Sequence, residues 1–543
     1  MRGKTKKYQI NLLGYFSEVV LLVLVFALSH GNPPPDVNEA HYLVKAKHYW
    51  DSGFCPTDFF LSSADAHLCF YWVFGWLTLL FELPVVAWIG RIISWILIGS
   101  ALVTLGRKVT KGILTGLFFG TVFVILTEKC HLAGEWVIGG FEAKTIAYGM
   151  AFWGLNRALE SKWSQAWLLC GVASAFHVLA GGWIVLCLLS VRIGLLVIKK
   201  QKLVFGELIY LTLGGCLSLG GVVPGLLLSS SDPTVAAEAN YLYVHVRLPH
   251  HLVVTTFSTE RILMFLVMVV GLGFGWKLSS QWRQPSHKLV VYLAVISLLF
   301  AAAGVMITFG LGNGSPLQHR LLRFYFYRTS DVLVPLATGG MACVVVYGVC
   351  RESNGGMRLS GSILLLVIGL YLADALGDRY WDPRPRGDVL TLPKSKKKDP
   401  LARKENTLRI HRHWQLACLW MRNNSPKDAI AITPLRQQTF KWYSGRGEVV
   451  TRKDMPQDAS SLMIWNERRN AVYPLVDGSR SLSRVGNDLL AANCVRYDAD
   501  YLVLTQFSEE TRHRFDQDPR FIKMFPREGD FSYYGVFKFV GTQ

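Results

Sequence analysis

The sequence predicts an α-helical polytopic membrane protein of about 11 transmembrane helices, followed by a small C-terminal α/β domain. Three observations carry this reading. Of 543 residues 51% are hydrophobic and only 17% are charged, against about 25% charged in soluble chains. Apolar runs of roughly the 17–25 residues that cross a bilayer recur from Leu12 to Leu376. The last third instead alternates between strand-like and helix-like hydrophobic patterns. An intrinsically disordered chain, a secreted disulfide scaffold and a single soluble enzyme domain are excluded. The net charge of +19 invites a nucleic-acid reading, but the basic residues sit in short clusters between apolar runs, where they orient spans. No nucleic-acid partner is expected.

The first run, Leu12–Ser29, follows Arg2, Lys4, Lys6 and Lys7 and has the length of a signal peptide or a span. No small-residue cleavage site follows, and Ser29-His30-Gly31-Asn32 before Pro33-Pro34-Pro35 reads as a helix stop. An uncleaved span with a cytoplasmic N-terminus results. Further runs lie near 85–105, 112–128, 143–158, 165–180, 183–198, 206–229, 262–276, 289–310, 331–349 and 360–376. The odd total places the C-terminal third outside, in an inner (cytoplasmic) membrane with a periplasmic domain. Arg107/Lys108/Lys111, Lys199/Lys200/Lys202, Lys277/Arg283/Lys288 and Arg351/Arg358 then all face the cytoplasm, as the positive-inside rule asks.

Leu68–Leu83 is short and rich in Trp and Phe, and is expected as an interfacial or re-entrant segment. Lys394, Lys396, Lys397 and Lys398 run against the count, although long domains translocate largely regardless of charge. The expected domains are 1–376, membrane-embedded, with 31–84 as first external loop; 377–400, linker; and 401–543, external α/β. Within the last, a helix around Leu408–Trp420 leads to a buried strand at Asp428–Thr433. There follow a strand at Glu448–Thr451, helices at Ser460–Ala471 and Asn487–Asp498, and strands at Tyr501–Thr505 and Tyr534–Val540. No phosphate-binding glycine loop or nucleophile elbow occurs in it. The ten cysteines show no metal spacing; Cys55 with Cys69, and Cys418 with Cys494, are the pairs placed to form a disulfide outside.

Polar residues concentrate on the outward ends. Asn38-Glu39-Ala40 opens a helix to about Trp50, with Asp36 or Asn38 as N-cap. Glu39 serves either as a dipole-complementing first-turn acid or as a general base or metal-binding carboxylate, with Asp36 second. Glu142 and Lys144 stand at a span edge, where ionisable groups are functional candidates or a structural pair. His177 near an outer span end is a packing or a binding residue. Arg247, His250 and His251 form one basic group, with shared metal ligation weaker than phosphate contact. Arg320, Arg323 and Arg328 form another, either interfacial anchors or phosphate contacts. Few charges lie mid-span, Arg91 and Arg192 being the main exceptions, so a transport pathway is disfavoured.

GGFEAKTIAYG, FHVLAGGW, RLPHHL, RFYFYRTSDVLVPL and the run TP…FKWYSGR…VVTRKDMP resemble bacterial GT-C-like membrane proteins with a C-terminal domain of unknown function. The architecture as a whole resembles the GT-C superfamily of integral-membrane glycosyltransferases, and WMRNNSPKDAIAIT is similar to the start of the external domain in oligosaccharyltransferases. The resemblance implies an inverting transferase that takes sugar from a polyprenyl-phosphate donor, with membrane lipids as partners. Its first-loop carboxylate, here Glu39 and then Asp36, would act as base or bind a divalent metal. The chain departs from the pattern in having Asn38-Glu39 in place of two consecutive acids. The WWDYG motif is absent, since Thr433-Pro434 runs into Leu435-Arg436-Gln437, so sequon glycosylation is not implied. The alternative is a non-catalytic relative that binds lipid-linked saccharide or scaffolds envelope assembly.

Overall fold

The computed structural model describes residues 12–312, 314–352, 356–390, 399–506, 508–527 and 530–541. The basic residues before Leu12 and Lys394–Lys398 lie outside them. Helix α1 (Leu12–His30) precedes a long loop carrying α2 (Glu39–Trp50), α3 (Leu68–Phe74) and α4 (Leu77–Leu80). Then come α5 (Leu83–Val109), α6 (Thr115–Lys129), α7 (Ala143–Leu159), α8 (Trp163–Phe176), α9 (Val178–Val197) and α10 (Phe205–Leu227). A second long loop holds α11 (Pro233–Tyr241), a π-helical turn at Leu242–Arg247 and α12 (Pro249–Leu252). Helices α13 (Thr259–Leu278), α14 (Pro285–Gly310), α15 (Pro316–Leu322), α16 (Ser330–Glu352) and α17 (Gly356–Trp381) complete the helical part.

Every expected apolar run forms a helix. Among the described residues, however, 8 helices are long and apolar enough to cross a membrane: α1, α5, α9, α10, α13, α14, α16 and α17. The runs at 112–128, 143–158 and 165–180 give α6, α7 and α8, of 15, 17 and 14 residues, shorter than the roughly 20 of a typical crossing, although each still runs from one end of the helical part to the other. Two local features shorten them. The chain at 130–142 is irregular yet largely buried, and such backbone inside a membrane domain needs internal partners. Asp331 supplies them, accepting the N–H groups of Leu132, Ala133 and Glu135 at 2.7, 2.9 and 3.2 Å. Between α8 and α9 stands only His177. The reversal there is so tight that a Cβ on Gly181 would lie 2.3 Å from the Ser174 nitrogen, so a glycine is required.

Loops gather at two ends. At one, Arg107 pairs with Glu18 at 2.7 Å, Lys108 with Glu160 at 2.6 Å and Arg192 with Glu207 at 2.6 Å. The Arg192 guanidinium also lies over Trp163, and Tyr347 donates to the Ile113 carbonyl. At the other, the loops around 31–82, 130–142, 228–258 and 311–329 meet one another and the C-terminal domain. The clusters at 107–111 and 199–202 thus sit at the end opposite that domain.

The C-terminal domain contains α18 (Pro400–Asn424), α19 (Phe440–Ser444), α20 (Ala459–Val472), α21 (Asn487–Arg496) and α22 (Glu509–Asp516) around a sheet. Its strands are β1 (Ile430–Ile432), β2 (Gly447–Glu448), β3 (Tyr501–Thr505), β4 (Phe521–Phe525) and β5 (Tyr534–Phe539), in the order β2-β1-β3-β5-β4. β2, β1 and β3 run parallel, and β5 pairs antiparallel with β3 and β4. The strand expected at 448–451 is shorter, and β4, with Lys523 inside an apolar run, was not foreseen. No disulfide joins Cys55 to Cys69 or Cys418 to Cys494.

A buried ionic network docks this domain onto the first loop. Lys441 lies 2.7 Å from Asp454 and 3.4 Å from Asp58 and also pairs with Glu448. Asp58 accepts the Glu448 N–H at 3.0 Å, and His41 of α2 meets Asp454 at 2.9 Å. One lysine faces three buried carboxylates, so one of them carries a proton most cheaply. Burial, joined by Asp454 and Asp58, pushes the Glu448 carboxyl up to about 7 against the pull of Lys441. Burial also acts on Asp454, but Lys441 and His41 outweigh it and hold that carboxyl at about 2.

A carboxyl raised above its unfolded 4.5 favours the folded state while protonated, and that contribution is lost as pH rises through about 7. Resistance of the docked domain to urea should therefore fall between about pH 5 and 8, by up to about 3 kcal/mol. Glu448→Gln should flatten the profile. A wild-type profile flat over that range would contradict the assignment.

Candidate functional site

Glu39 opens α2 as expected, but its carboxylate is fully engaged. Arg91 donates from Nε to Oε1 at 2.7 Å and from Nη2 to Oε2 at 2.6 Å. The N–H of Phe141 reaches Oε1 at 2.7 Å and that of Asp36 reaches Oε2 at 2.7 Å. Four donors fill the roughly four lone-pair sites of a carboxylate, and both side chains are 0% exposed. The first-choice base therefore has no acceptor position free for a substrate proton; it ties α2, α5 and the 130–142 segment together. Asp36 differs. Its Oδ1 accepts the Val37 N–H at 2.7 Å, and its other oxygen accepts no hydrogen bond from the described residues.

Two residues beyond Asp36, Asn38 leads into a buried cluster of polar and charged side chains, the polar chamber. Asn38 donates to Glu142 Oε2 at 2.7 Å, while Glu142 Oε1 has the Lys144 ammonium at 3.3 Å and no hydrogen bond. Burial raises the Glu142 carboxyl, with Lys144 and Asn38 opposing. Lys144 also lies 3.4 Å from Glu135 and over the Trp136 ring. Glu135 in turn pairs with Arg328 at 3.0 Å. Arg328 Nη1 is buried without a hydrogen-bond partner, the kind of donor a ligand oxygen satisfies. His67 bonds to Tyr42 at 3.0 Å and packs on His177, with ring centroids 5.1 Å apart. Burial, with His41 and Arg328, drives His67 down to about 3, so it is neutral.

Two further cations complete the chamber. Arg247 ends the π-helical turn, and Lys453 comes from the C-terminal domain. Neither has a carboxylate in salt-bridge contact among the described residues. Burial, then Arg452, lowers the Arg247 guanidinium. Burial, then Arg247 and Lys144, brings Lys453 to about 8 against the pull of Glu142 and Asp454. These mutual effects place Lys453, Arg247, Lys144 and Glu142 in one electrostatic neighbourhood. His250 is lowered by burial and by Arg247. His251, bonded to the Ala133 carbonyl, is brought by burial to about 3, so positive charge here comes from lysine and arginine. Lys144, Arg247, Arg328 and Lys453 outnumber Glu135 and Glu142, a combination suited to an anionic ligand.

The remaining expected residues have other placements. His177 caps α9, its Nδ1 accepting the Ala180 N–H at 3.2 Å, beside the chamber through His67. Arg323 is committed to Asn240 and the Gln457 carbonyl, both at 3.0 Å, bridging the second loop to the C-terminal domain. Arg320 is exposed and does not join the group. Among the described residues no set of three or more His, Cys, Asp or Glu side chains is arranged for a metal ion. Lys453 was missed as a site residue; its signal was the VVTRKDMP run, which nothing in the sequence alone connects to the membrane loops.

Residues 412–472 match the DUF6798 family, described as a domain of unknown function. No curated protein matches the sequence. Two solved structures follow a similar course of chain, and both are GT-C glycosyltransferases. One is the arabinofuranosyltransferase AftD from Mycobacteria, at 12% identity and a TM-score of 0.49, covering 97% of this chain and 40% of that one. The other is ArnT from Cupriavidus metallidurans bound to undecaprenyl phosphate, at 13% identity and a TM-score of 0.47, covering 98% and 99%. The chain thus spans 40% of the length of AftD.

Arg91→Met should leave Glu39 buried without its cation and destabilise the protein by about 3–5 kcal/mol, read as a lowered unfolding midpoint in detergent. Replacing both residues by Met should recover most of the loss. A double variant no better than the single one would mean that the pair is not the latch described.

Proposed function

We propose that the chain is an inverting glycosyltransferase acting on a polyprenyl-phosphate-linked sugar at the membrane end covered by the C-terminal domain. The observation that carries this is the gathering of Arg247 and Lys453, cations without carboxylate partners, with Lys144, Arg328 and the Glu142 carboxylate, beside the helix entry that carries Asp36. The positive-inside rule, applied to the clusters at the opposite end, supports a position for this chamber outside the inner membrane. A hydroxyl of the acceptor attacks the anomeric carbon, and the bond from that carbon to the phosphate oxygen breaks. The acceptor proton passes to Asp36, whose free oxygen makes it the base in place of Glu39, a step typically contributing about 10²–10⁴ in rate. The lipid phosphate leaves with an added negative charge, which Arg247 and Lys453 stabilise. Glu142, its carboxyl raised by burial, positions the acceptor.

The saturation of Glu39 favours the second reading, a non-catalytic protein that binds lipid-linked saccharide. Undecaprenyl phosphate, the lipid in the ArnT complex, is a suitable probe, with binding read by native mass spectrometry of the full chain. Arg247→Ala with Lys453→Ala should weaken binding by at least about tenfold, since a hydrogen bond to a charged group contributes about 1.5–3 kcal/mol. Wild-type affinity should fall as pH rises past about 8, where Lys453 loses its proton. Asp36→Asn should bind normally and abolish transfer of labelled sugar in vesicles. Lipid binding without any transfer by the wild type would favour the second reading, and no lipid binding would overturn both.

A further inference from the structure

A second recess takes no part in holding the lipid phosphate. It is a cavity of about 870 Å³ between the first loop, the segment after α17 and the C-terminal domain, within the roughly 300–1,000 Å³ range of small-ligand sites. Pro33 and Pro34 form part of its wall, and Asp36 follows two residues on. Leu83 and Pro84 at the start of α5 set its membrane side, while one stripe of α18, including Arg422, lines the opposite side.

The lining combines rings with an excess of positive charge, in which Lys47, Arg422 and Lys427 stand against the carboxylates of Asp51 and Glu82. Phe54, Trp442 and Tyr443 contribute the rings. Of the cations, Arg384 is neutralised by Asp382 at 2.7 Å and His411 faces Asp388 at 3.0 Å. Lys47, Arg422 and Lys427 have no carboxylate in salt-bridge contact among the described residues, and Lys47 lies over the Phe54 ring at 4.9 Å. Arg446 spends its guanidinium on backbone carbonyls, those of Arg422 and Ser425 at 2.7 and 2.8 Å. It thereby fixes the turn carrying Arg422 and Lys427 without cancelling their charge. Flat rings that stack on sugar faces, together with fixed cations, select an anionic saccharide over a neutral one. A cavity of about 870 Å³ admits more than one sugar unit.

We propose that this cavity binds an anionic oligosaccharide, with Lys47, Arg422 and Lys427 reading its charges and Phe54, Trp442 and Tyr443 its rings. Its role as acceptor site rests on the transfer reading; the binding itself does not. Hexagalacturonate serves as probe and neutral maltohexaose as control, titrated calorimetrically into the full chain in zwitterionic nanodiscs. Saturable binding of hexagalacturonate is expected, at least about tenfold weaker in Arg422→Glu/Lys427→Glu and weakened by salt, with no binding of maltohexaose. Both substituted residues are exposed, and Lys427→Ala alone, expected to weaken binding severalfold, serves if the charge-reversed variant does not fold. Absence of hexagalacturonate binding, equal binding of maltohexaose, or affinity unchanged in the variants would each overturn the proposal. Undecaprenyl phosphate binding should be the same in these variants as in wild type, so failure of the saccharide site and failure of the donor reading are separately visible.

Discussion

The bidentate pair between Glu39 and Arg91 fixes the geometry of everything at the C-terminal-domain end of the protein. An arginine placed on a membrane-crossing helix is costly unless paired, and a fully buried pair offsets its desolvation only with good geometry and further hydrogen bonds. Here the further bonds come from three separate segments: the Asn32 carbonyl accepts from Arg91, and the N–H groups of Asp36 and Phe141 donate to Glu39. The stop after α1, the start of α2 and the buried segment before α7 are thus clamped to one point of α5. Asp36, Asn38 and Glu142 stand where they do because their backbones are held there. Gly140 belongs to the same clamp, since a Cβ there would lie 2.7 Å from Asp36 Cβ and 2.9 Å from Glu39 Cγ.

The C-terminal domain completes the chamber and does more than cover it. The Lys441 network joins this domain to Asp58 and His41 of the first loop, and the same segment that supplies Asp454 to that network supplies Lys453 to the chamber. Docking and ligand charge are therefore set by neighbouring residues. Asp454 is paired with Lys441 and His41, and Lys453 has no carboxylate in salt-bridge contact among the described residues. Had Asp454 paired with Lys453 instead, the chamber would hold a smaller surplus of positive charge. The surplus arises from how the two domains divide their ionic partners.

Much of the architecture was legible in the sequence because hydrophobic length and charge clusters report directly on membrane crossing. The run boundaries for α1, α10 and α16 are close to the helices found, and α2 begins at Glu39 as expected, although Asn38 makes no side-chain cap bond there and turns to Glu142. Three helices proved shorter because irregular buried backbone at 130–142 and the one-residue corner at His177 consume apolar residues without forming helix. An apolar run does not distinguish these uses. β4 escaped, and β2 proved shorter than expected, for a related reason: in so short a segment, pairing with a neighbour decides the strand and local pattern does not. Among site residues, Glu142, Lys144, Arg247 and Arg328 converge, whereas Arg320 and Arg323 share their cluster in sequence and diverge in space.

The contrast between Asp36 and Glu39 shows why a carboxylate in the expected place does not by itself define a base. Three positions apart on one helix entry, both are acidic, buried and beside the membrane. Glu39 is reached by a guanidinium fork and two amides, whereas Asp36 gives only one oxygen to its neighbour's amide. A base must exchange a proton with a substrate, so an unfilled lone pair is a stricter requirement than charge or position. Sequence supplies the acid and its surroundings; the identity of its donors depends on Arg91, 52 positions away along the chain, and on a backbone amide at Phe141. By that criterion the two residues divide the work, with Glu39 setting the position of the entry to α2 and Asp36 presenting the oxygen that remains free.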